Sequence, residues 1–169
     1  MKKFYVFIST IIFLIYLGMN MDIQSLYPDQ DQLADVYLKA NQDEAYFMKI
    51  KKDIWGVLEE QKDNILKKNL NGYMKNIASV YRDDKTRDYD LLKDSLQYEW
   101  NEYSYQHLNY KVDIYYPTSD GIWVRALKAY SLEKDNEETL HGKEVEDLLF
   151  IWEKGKWKLK TTKKISELI

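Results

Sequence analysis

The chain has 169 residues and a formal net charge of −3, from 28 acidic and 25 basic side chains, and it contains no cysteine. This acidic balance argues against nucleic-acid binding, because phosphate backbones are bound by dense basic surfaces. The lack of cysteine excludes disulfides, thiolate metal sites and cysteine nucleophiles. A hydrophobic fraction of 45%, with 15% aromatic residues, is typical of a globular domain and not of a disordered chain.

Residues 1–22 predict an export segment that forms an N-terminal hydrophobic helix. Lys2 and Lys3 precede an apolar run, and this order keeps the charged end in the cytoplasm. The run is close to the ~17-residue lower limit for a spanning helix, and bulky residues stand where cleavage prefers small ones. We therefore expect a membrane anchor over residues 4–21, with the remainder on the extracytoplasmic side of the cell membrane. Cleavage of a signal, which would give a secreted protein, is the alternative.

A helical extension is expected over residues 23–49, followed by a domain over residues 50–169. Within the extension, the stretch from Leu33 to Ala40 has the i, i+3, i+4, i+7 spacing of an amphipathic helix. A second periodic stretch runs from Phe47 to Leu70. It should end at Asn71-Gly72, because glycine adopts the left-handed conformation without steric penalty.

Two shorter helices are predicted before the first strand. One contains Tyr73, Ile77 and Val80 at helical spacing. The polar run RDDKTRD then forms a loop. The next helix buries leucines and is capped at its N-terminus by Thr86 or Asp88, since short polar side chains accept hydrogen bonds from free backbone N–H groups there.

From about Tyr103 the apolar period changes from about 3.6 residues to about 2, which predicts strands. One strand runs from Leu108 to Tyr116, GIWVRALKAYSL forms the next, and the last two flank a tight turn at Lys154-Gly155. In that hairpin Trp152 should lie opposite Trp157. Helices followed by a meander predict an α+β fold, with helices packed on a curved antiparallel sheet.

This order of elements resembles the nuclear transport factor 2-like superfamily, which includes SnoaL-like proteins and ketosteroid isomerase. KNLNGYMKNIAS, at residues 68–79, is similar to the turn between the family's first two helices, with Asn69 where an acidic residue is usual. EDLLFIWEKGKWKLKTT, at residues 146–162, is similar to its closing hairpin. The resemblance implies a cone in which the sheet wraps around helices and often encloses a pocket, but it implies no single activity.

Both faces of the penultimate strand are apolar. Leu148, Phe150 and Trp152 form one row, and Leu149 and Ile151 form the other. One row should pack on the helices, and an exposed apolar row usually marks a partner surface. Because the resemblance implies dimers through the outer sheet face, we predict an interface for a protein partner or a second copy at Leu148, Phe150 and Trp152. Cover by a helix at residues 30–45 is the alternative.

The sequence contains no recognisable catalytic set. It has no HExxH, no acidic calcium loop, no glycine-rich phosphate loop and no G-x-S-x-G, so we expect no metal, no cofactor and no catalytic residue of these kinds. His107 should lie partly exposed at the start of a strand and His141 in a turn. The alternation directs Asp113 to solvent.

The remaining candidates are the residues that would surround a pocket in the cone, although an aromatic row is more often core than pocket. The leading hypothesis is an extracytoplasmic binding or interaction module, which predicts a filled cone and an exposed apolar sheet face. The alternative is a small-molecule binder or enzyme, which predicts an enclosed cavity with a carboxylate beside Tyr or His. The candidate pocket residues are Tyr73, Trp100, Tyr103, Tyr110, Trp123 and Asp147.

Overall fold

The structure is a computed structural model that describes residues 43–134 and 138–168. Within these ranges three helices precede four strands, and the strands form one antiparallel sheet in the order β1-β2-β3-β4. The predicted α+β architecture, helices packed against one face of an antiparallel sheet, is confirmed. The elements are α1 (Glu44–Leu66), α2 (Leu70–Met74), α3 (Tyr89–Glu102), β1 (Ser104–Thr118), β2 (Gly121–Lys134), β3 (Glu138–Glu153) and β4 (Lys156–Leu168).

The predicted anchor and the amphipathic stretch at residues 33–40 lie outside the described residues. Among the helices that are described, none is both long enough and apolar enough to cross a bilayer. Helix α1 begins at Glu44, on the N-terminal side of the domain boundary predicted at residue 50.

Helix α1 packs along the sheet through an apolar stripe. Its N-cap is Asp43, whose carboxylate accepts a hydrogen bond from the Tyr46 backbone N at 3.0 Å. Ile50, Ile54 and Leu58 recur every four residues and are all buried, as expected for one face of a helix.

The sheet has an inner face, which meets the helices, and an outer face. Ile122, Val124 and Ala126 of β2 are fully buried on the inner face, beside Leu148 and Phe150 of β3. Successive strand side chains point to opposite faces. The outer face therefore takes the alternate residues of each strand, among them Trp123, Arg125, Asp147 and Leu149.

The predicted interface row is on the wrong face of β3. Leu148 and Phe150 are only 3% and 0% exposed and belong to the core, and Trp152 packs against that core. The strand register explains this placement. Leu148 and Phe150 pair with Val124 and Ile122, which face the helices, so their side chains face the helices too. The outer row of β3 is instead Leu149 and Ile151.

The predicted end of the first helix at Asn71-Gly72 is also wrong. Helix α1 ends at Leu66, and Lys68 has a φ of 51°. Gly72 lies inside α2, where a Cβ would stand 2.1 Å from Asn64 Oδ1. Glycine is therefore needed here for close packing of α2 on α1, and not for its conformational freedom.

The segment after α2 pairs with β4 and does not form the predicted helix through Ile77 and Val80. Ala78 N donates to the Leu159 carbonyl at 2.9 Å, and Leu159 N donates to the Asn76 carbonyl at 2.9 Å. Ile77 is buried in the core and Val80 is exposed. The following helix is α3, and Asp88 caps it.

The closing hairpin follows the prediction, whereas β1 departs from simple alternation. Lys154 and Gly155 both have positive φ, and Trp152 lies opposite Trp157. In β1 a bulge between Val112 and Ile114 shifts the register, so that Ile114 is exposed and no longer continues the inner row.

Candidate functional site in the cone

A chamber of about 120 Å³ lies between the inner face of the sheet and the helices. α1 contributes Gln61 and Ile65, and α3 contributes Leu92, Leu96 and Trp100. A wider vestibule of about 360 Å³ adjoins it. The chamber and the vestibule share six lining residues: Arg87, Glu99, Tyr105, Lys128, Glu146 and Thr162.

Three predicted pocket residues, Tyr73, Trp100 and Tyr110, line the chamber together. The rings of Tyr73 and Trp100 meet edge to face, with centroids 5.9 Å apart and an interplanar angle of 84°. Tyr103 lines the vestibule. Four of the six predicted residues thus surround the interior space of the cone.

The other two, Trp123 and Asp147, lie on the outer face and do not reach the cone. Trp123 stands between the fully buried Ile122 and Val124 and stacks on Tyr116 with ring centroids 6.4 Å apart. Asp147 accepts two hydrogen bonds from Arg125, each 2.8 Å long. The strand phase that places Glu146 inside necessarily places Asp147 outside.

The main charged group of the chamber is Lys128, on the inner face of β2. Its Nζ lies 3.6 Å from Glu146 Oε1 and 3.7 Å from Glu144 Oε2 on β3. Burial by itself lowers the pKa of Lys128, but the charge of Glu146, together with that of Glu144, outweighs burial and holds the pKa above its ordinary value. Lys128 is therefore an ammonium at neutral pH.

Glu144 also keeps its charge. Burial raises the pKa of Glu144, but a 2.8 Å hydrogen bond from Lys164 Nζ and the charge of Lys128 outweigh it, so the pKa lies below its ordinary value. A general acid or base works best when its pKa is close to the operating pH. Lys128 and Glu144 are shifted away from neutrality, so they are suited to holding charge and not to exchanging protons.

The tyrosines of the interior remain protonated. Burial raises the pKa of Tyr73 and Tyr110, and it raises that of Tyr81 to about 12. Their hydroxyl groups can therefore donate and accept hydrogen bonds at neutral pH. The chamber thus combines apolar rings with polar tips.

Two residues that line the chamber each carry a buried hydrogen-bond donor without a partner among the described residues. These donors are Gln61 Nε2 and Trp100 Nε1. Their residues are 2% and 4% exposed. A buried donor left without an acceptor costs about 1–3 kcal/mol. An acceptor atom that reached these two donors would remove this cost.

The vestibule is highly charged, yet its charges nearly balance. Arg87 Nε donates to Asp83 Oδ2 at 2.6 Å, and Tyr105 donates its hydroxyl to Glu99 Oε1 at 2.7 Å. Four basic side chains face five acidic ones around this space: Lys85, Arg87, Lys128 and Lys164 against Asp83, Asp84, Glu99, Glu144 and Glu146.

Sequence reasoning missed Gln61, Lys128 and Glu146. A signal for two of them is present in the strand phase. Lys128 continues the apolar row of Val124 and Ala126, and Glu146 precedes Leu148 at the same spacing of two. A charged residue that continues a row of buried strand side chains indicates that polar groups are present in the interior.

Neither histidine belongs to the cone. His107 and His141 are exposed, and each pairs in register with Ser131, which puts both on the outer face. His141 lies within β3, so its predicted place in a turn is wrong. In the described part of the chain, no three His, Asp or Glu side chains are grouped so that they could hold a metal ion.

No family model and no curated protein sequence matches the chain. Solved structures match it in fold at low identity. A nuclear transport factor 2-like protein of unknown function in nutrient uptake from Rhodospirillum rubrum is 14% identical, with a TM-score of 0.57 over 69% of this chain and 99% of that one.

Two further structures are similar. A ketosteroid isomerase-like protein from Erwinia carotovora is 12% identical, with a TM-score of 0.55 over 68% of this chain and 95% of its own. A nuclear transport factor 2-like protein from Cytophaga hutchinsonii is 11% identical, with a TM-score of 0.52 over 68% and 95%. At such identities the likeness concerns the fold alone. Together with the helices packed on the antiparallel sheet, it shows that this chain has the nuclear transport factor 2-like fold.

Proposed function

We propose that the cone binds a small, uncharged organic molecule that carries hydrogen-bond-acceptor oxygens. The observation that carries the proposal is the pair of buried donors without partners, Gln61 Nε2 and Trp100 Nε1, in one chamber. A ligand with carbonyl or ether oxygens would satisfy both donors and remove their desolvation penalty.

The walls and the charge balance define the ligand further. Tyr73, Trp100 and Tyr110 offer ring faces and edges to an apolar skeleton, and their polar tips can fix its orientation. The near balance of basic and acidic groups around the vestibule favours a neutral molecule over an ion. Because Lys128 and Glu144 hold their charges, binding is a better account of this site than proton transfer.

The proposal includes a location. The lysine pair and apolar run of residues 1–22 support a module that is tethered to the cell membrane, with the cone on the extracytoplasmic side. The test is to express the full chain and extract its membranes at alkaline pH. The chain should stay with the membrane, and protease added outside the cell should reach the domain. Release into the alkaline wash would contradict the tether.

The ligand proposal is tested by filling the chamber. Leu96 lines it, and Leu96→Phe adds volume there, whereas the neighbouring Leu91 is 53% exposed on the same helix and Leu91→Phe is the matched control. We expect small aromatic ketones and amides to give saturation-transfer NMR signals with the parent and with Leu91→Phe. Leu96→Phe should abolish these signals. Equal signals from all three proteins, or none from the parent, would refute the proposal.

A second variant separates binding from folding. Gln61→Leu removes a donor that has no partner within the described chain, so the free energy of unfolding should stay the same or rise. Affinity for the same ketones and amides should fall about tenfold, the effect of losing about 1.4 kcal/mol of hydrogen bonding. Unchanged affinity would remove Gln61 from the site.

A second candidate function is association with a protein partner or a second copy through the outer face. The supporting observation is the apolar group that this face presents, with Ile114 and Tyr116 exposed beside Trp123. Light scattering on the full chain in detergent should give a dimer for the parent and a monomer for Ile114→Lys. A monomeric parent would exclude self-association.

A further inference from the structure

The outer face carries a second cavity, a groove of about 400 Å³ on the opposite side of the sheet from the cone. Strands β1, β2 and β3 supply its walls and floor, and their register arranges six outward side chains in two rows. The rows across β1, β2 and β3 are His107, Ser131 and His141, and Asn109, Ala129 and Lys143.

The groove exists because the middle strand carries small side chains. Ala129 and Ser131 of β2 form its floor, and the longer side chains on β1 and β3 rise on either side. Strands lie about 4.8 Å apart, so the Cα atoms of His107 and His141 are separated by about 10 Å. A planar or tetrahedral group fits between two imidazoles at that spacing.

The floor contains a donor that nothing in the described chain satisfies. Ser131 is 3% exposed, and its Oγ has no hydrogen-bond partner among the described residues. A hydroxyl can donate or accept, whereas the ammonium of Lys143, which lines the same groove, can only donate. An oxyanion from outside the chain would accept hydrogen bonds from both groups.

Among the residues that the structure describes, none that lines the groove carries a carboxylate, although the chain has a net charge of −3. The polar side chains that line it are two imidazoles, one ammonium, one carboxamide, the Ser131 hydroxyl and Tyr130, whose hydroxyl donates to Glu144 Oε1. Within the described residues, two charged neighbours flank the groove on the outer face: Lys111 on β1 and Glu133 on β2. The Glu133 carboxylate is already engaged by Gln106 Nε2. The local potential therefore favours an anion.

We propose that this groove binds the oxyanion group, carboxylate or phosphate, of a small organic molecule. Lys143, the two imidazoles and the Ser131 hydroxyl surround the oxyanion, and Ala129 and Gly142 offer an apolar surface to the rest of the molecule. This site is separate from the cone and does not depend on what the cone binds.

The chain offers an unusually direct readout, because His107 and His141 are its only histidines. We would label the full chain at histidine, keep it in mild detergent and follow both imidazole NMR signals. Inorganic phosphate and benzoate are the two probes. We expect at least one of them to shift both signals to saturation, and the more effective probe identifies the oxyanion class.

Variants connect the shifts to the groove. Lys143→Gln should weaken probe binding about tenfold, as expected for loss of one hydrogen bond to a charged group. Ser131→Ala should weaken it without lowering the free energy of unfolding, because its Oγ has no partner within the described residues. Lys111→Gln, on the same face but outside the groove, is the control and should bind like the parent.

Three results would overturn the proposal. The first is no saturable shift of either imidazole signal with phosphate or benzoate. The second is equal weakening by Lys143→Gln and Lys111→Gln, which would reveal nonspecific attraction to positive charge. The third is a response of the imidazole signals to Zn²⁺ but to neither oxyanion, which would identify a two-histidine metal site instead.

Discussion

At the scale of single residues, Lys128 places a positive charge among the buried residues of the sheet's inner face. It lies on the inner face of β2, in the row that begins with Ile122 and Val124, and its only neutralising partners are the carboxylates of β3 within the described structure. A buried charge is tolerable only when it is paired, and removing one partner leaves the other uncompensated.

Lys128→Met should therefore destabilise the protein by about 3 kcal/mol, because Glu144 and Glu146 would lose their shared cation. The measurement is the free energy of unfolding in urea. Lys111→Met, at an exposed position on β1, is the control and should change it by less than about 0.5 kcal/mol. Adding Glu146→Gln to Lys128→Met should recover part of the loss. Equal effects of the two lysine variants would contradict the role given to Lys128.

Two glycines that lie within helices should respond to alanine substitution with opposite changes in the free energy of unfolding. A Cβ at Gly72 would meet Asn64 Oδ1 at 2.1 Å and Asn69 Nδ2 at 2.3 Å, whereas a Cβ at Gly56 would have no atom within 4 Å. Gly72→Ala should lower the free energy of unfolding by about 1–3 kcal/mol through overpacking. Gly56→Ala should raise it by about 0.5–1 kcal/mol through helix propensity. Stabilisation by both substitutions would show that α2 can move away from α1.

At this scale the sequence offers aromatic candidates for a pocket but does not identify the charged residues Lys128 and Glu146. Tyr73, Trp100 and Tyr110 are candidates by sequence, and the structure places all three around the chamber. The sequence makes Asp147 a candidate because it shares a strand face with Val145, Leu149 and Ile151, and that face proves to be the outer one. Only the pairing with Val124 through Leu148 determines which of the two carboxylates points inward.

At the scale of elements, the cross-strand ion pairs connect β2, β3 and β4. Glu144 of β3 contacts Lys128 of β2 and accepts a hydrogen bond from Lys164 of β4. The three side chains lie around the vestibule, so the same contacts that align the strands also shape its wall. The Glu144 carboxylate therefore contributes both to the stability of the sheet and to the shape of the vestibule.

This coupling predicts acid destabilisation. The pKa of Glu144 lies below its ordinary value of 4.5, because Lys164 and Lys128 outweigh the effect of burial. A carboxyl group whose pKa is lower in the folded chain stabilises it above the unfolded pKa, and this contribution is lost as the pH falls through the folded value. The free energy of unfolding should therefore drop below the ordinary carboxyl pKa.

The measurement is urea unfolding at a series of pH values from neutral to acid. Glu144→Gln should be less stable than the parent at neutral pH and should lose less stability on acidification, since it has no carboxylate to protonate. Glu60→Gln, at an exposed position on α1, should reproduce the parent's profile. A Glu144→Gln profile as steep as the parent's would mean that other carboxyl groups dominate.

Element types were predictable from periodicity, but two boundaries were not. The hairpin at Lys154-Gly155 and the register of Trp152 with Trp157 follow from local turn chemistry, and they are confirmed. The predicted helix through Ile77 and Val80 does not form, because Ile77 makes a β-bridge with Leu159, about eighty residues later in the chain. The bulge in β1 likewise accompanies a bend of the strand, and the local sequence pattern does not predict such a bend.

At the scale of the whole molecule, α1, α3, β2, β3 and β4 contribute buried side chains to one apolar core, and β1 packs against it through partly buried residues. The cluster contains Ile54 and Leu58 of α1, Leu92 of α3, Val124 of β2 and Phe150 of β3. Since no helix has a core of its own in the described structure, helices and sheet should unfold together.

Ile54→Ala should lower the free energy of unfolding by about 2–5 kcal/mol, since it empties a fully buried site in the cluster. Trp55→Ala, at the neighbouring exposed position on α1, should have a clearly smaller effect. Circular dichroism and tryptophan emission should report the same transition midpoint for the Ile54 variant. Separate midpoints would show that the helices and the sheet are independent folding units.

The pairing of residues 76–84 with β4 has a consequence for how copies of this protein could aggregate. Backbone N–H groups of Ala78, Arg82 and Asp84 donate to carbonyls of β4, so this edge of the sheet is already occupied there. The opposite edge, β1, is interrupted by two register shifts and by Pro117. Growth of fibrils by strand addition needs a straight edge strand with free backbone groups. Both edges of this sheet therefore disfavour it.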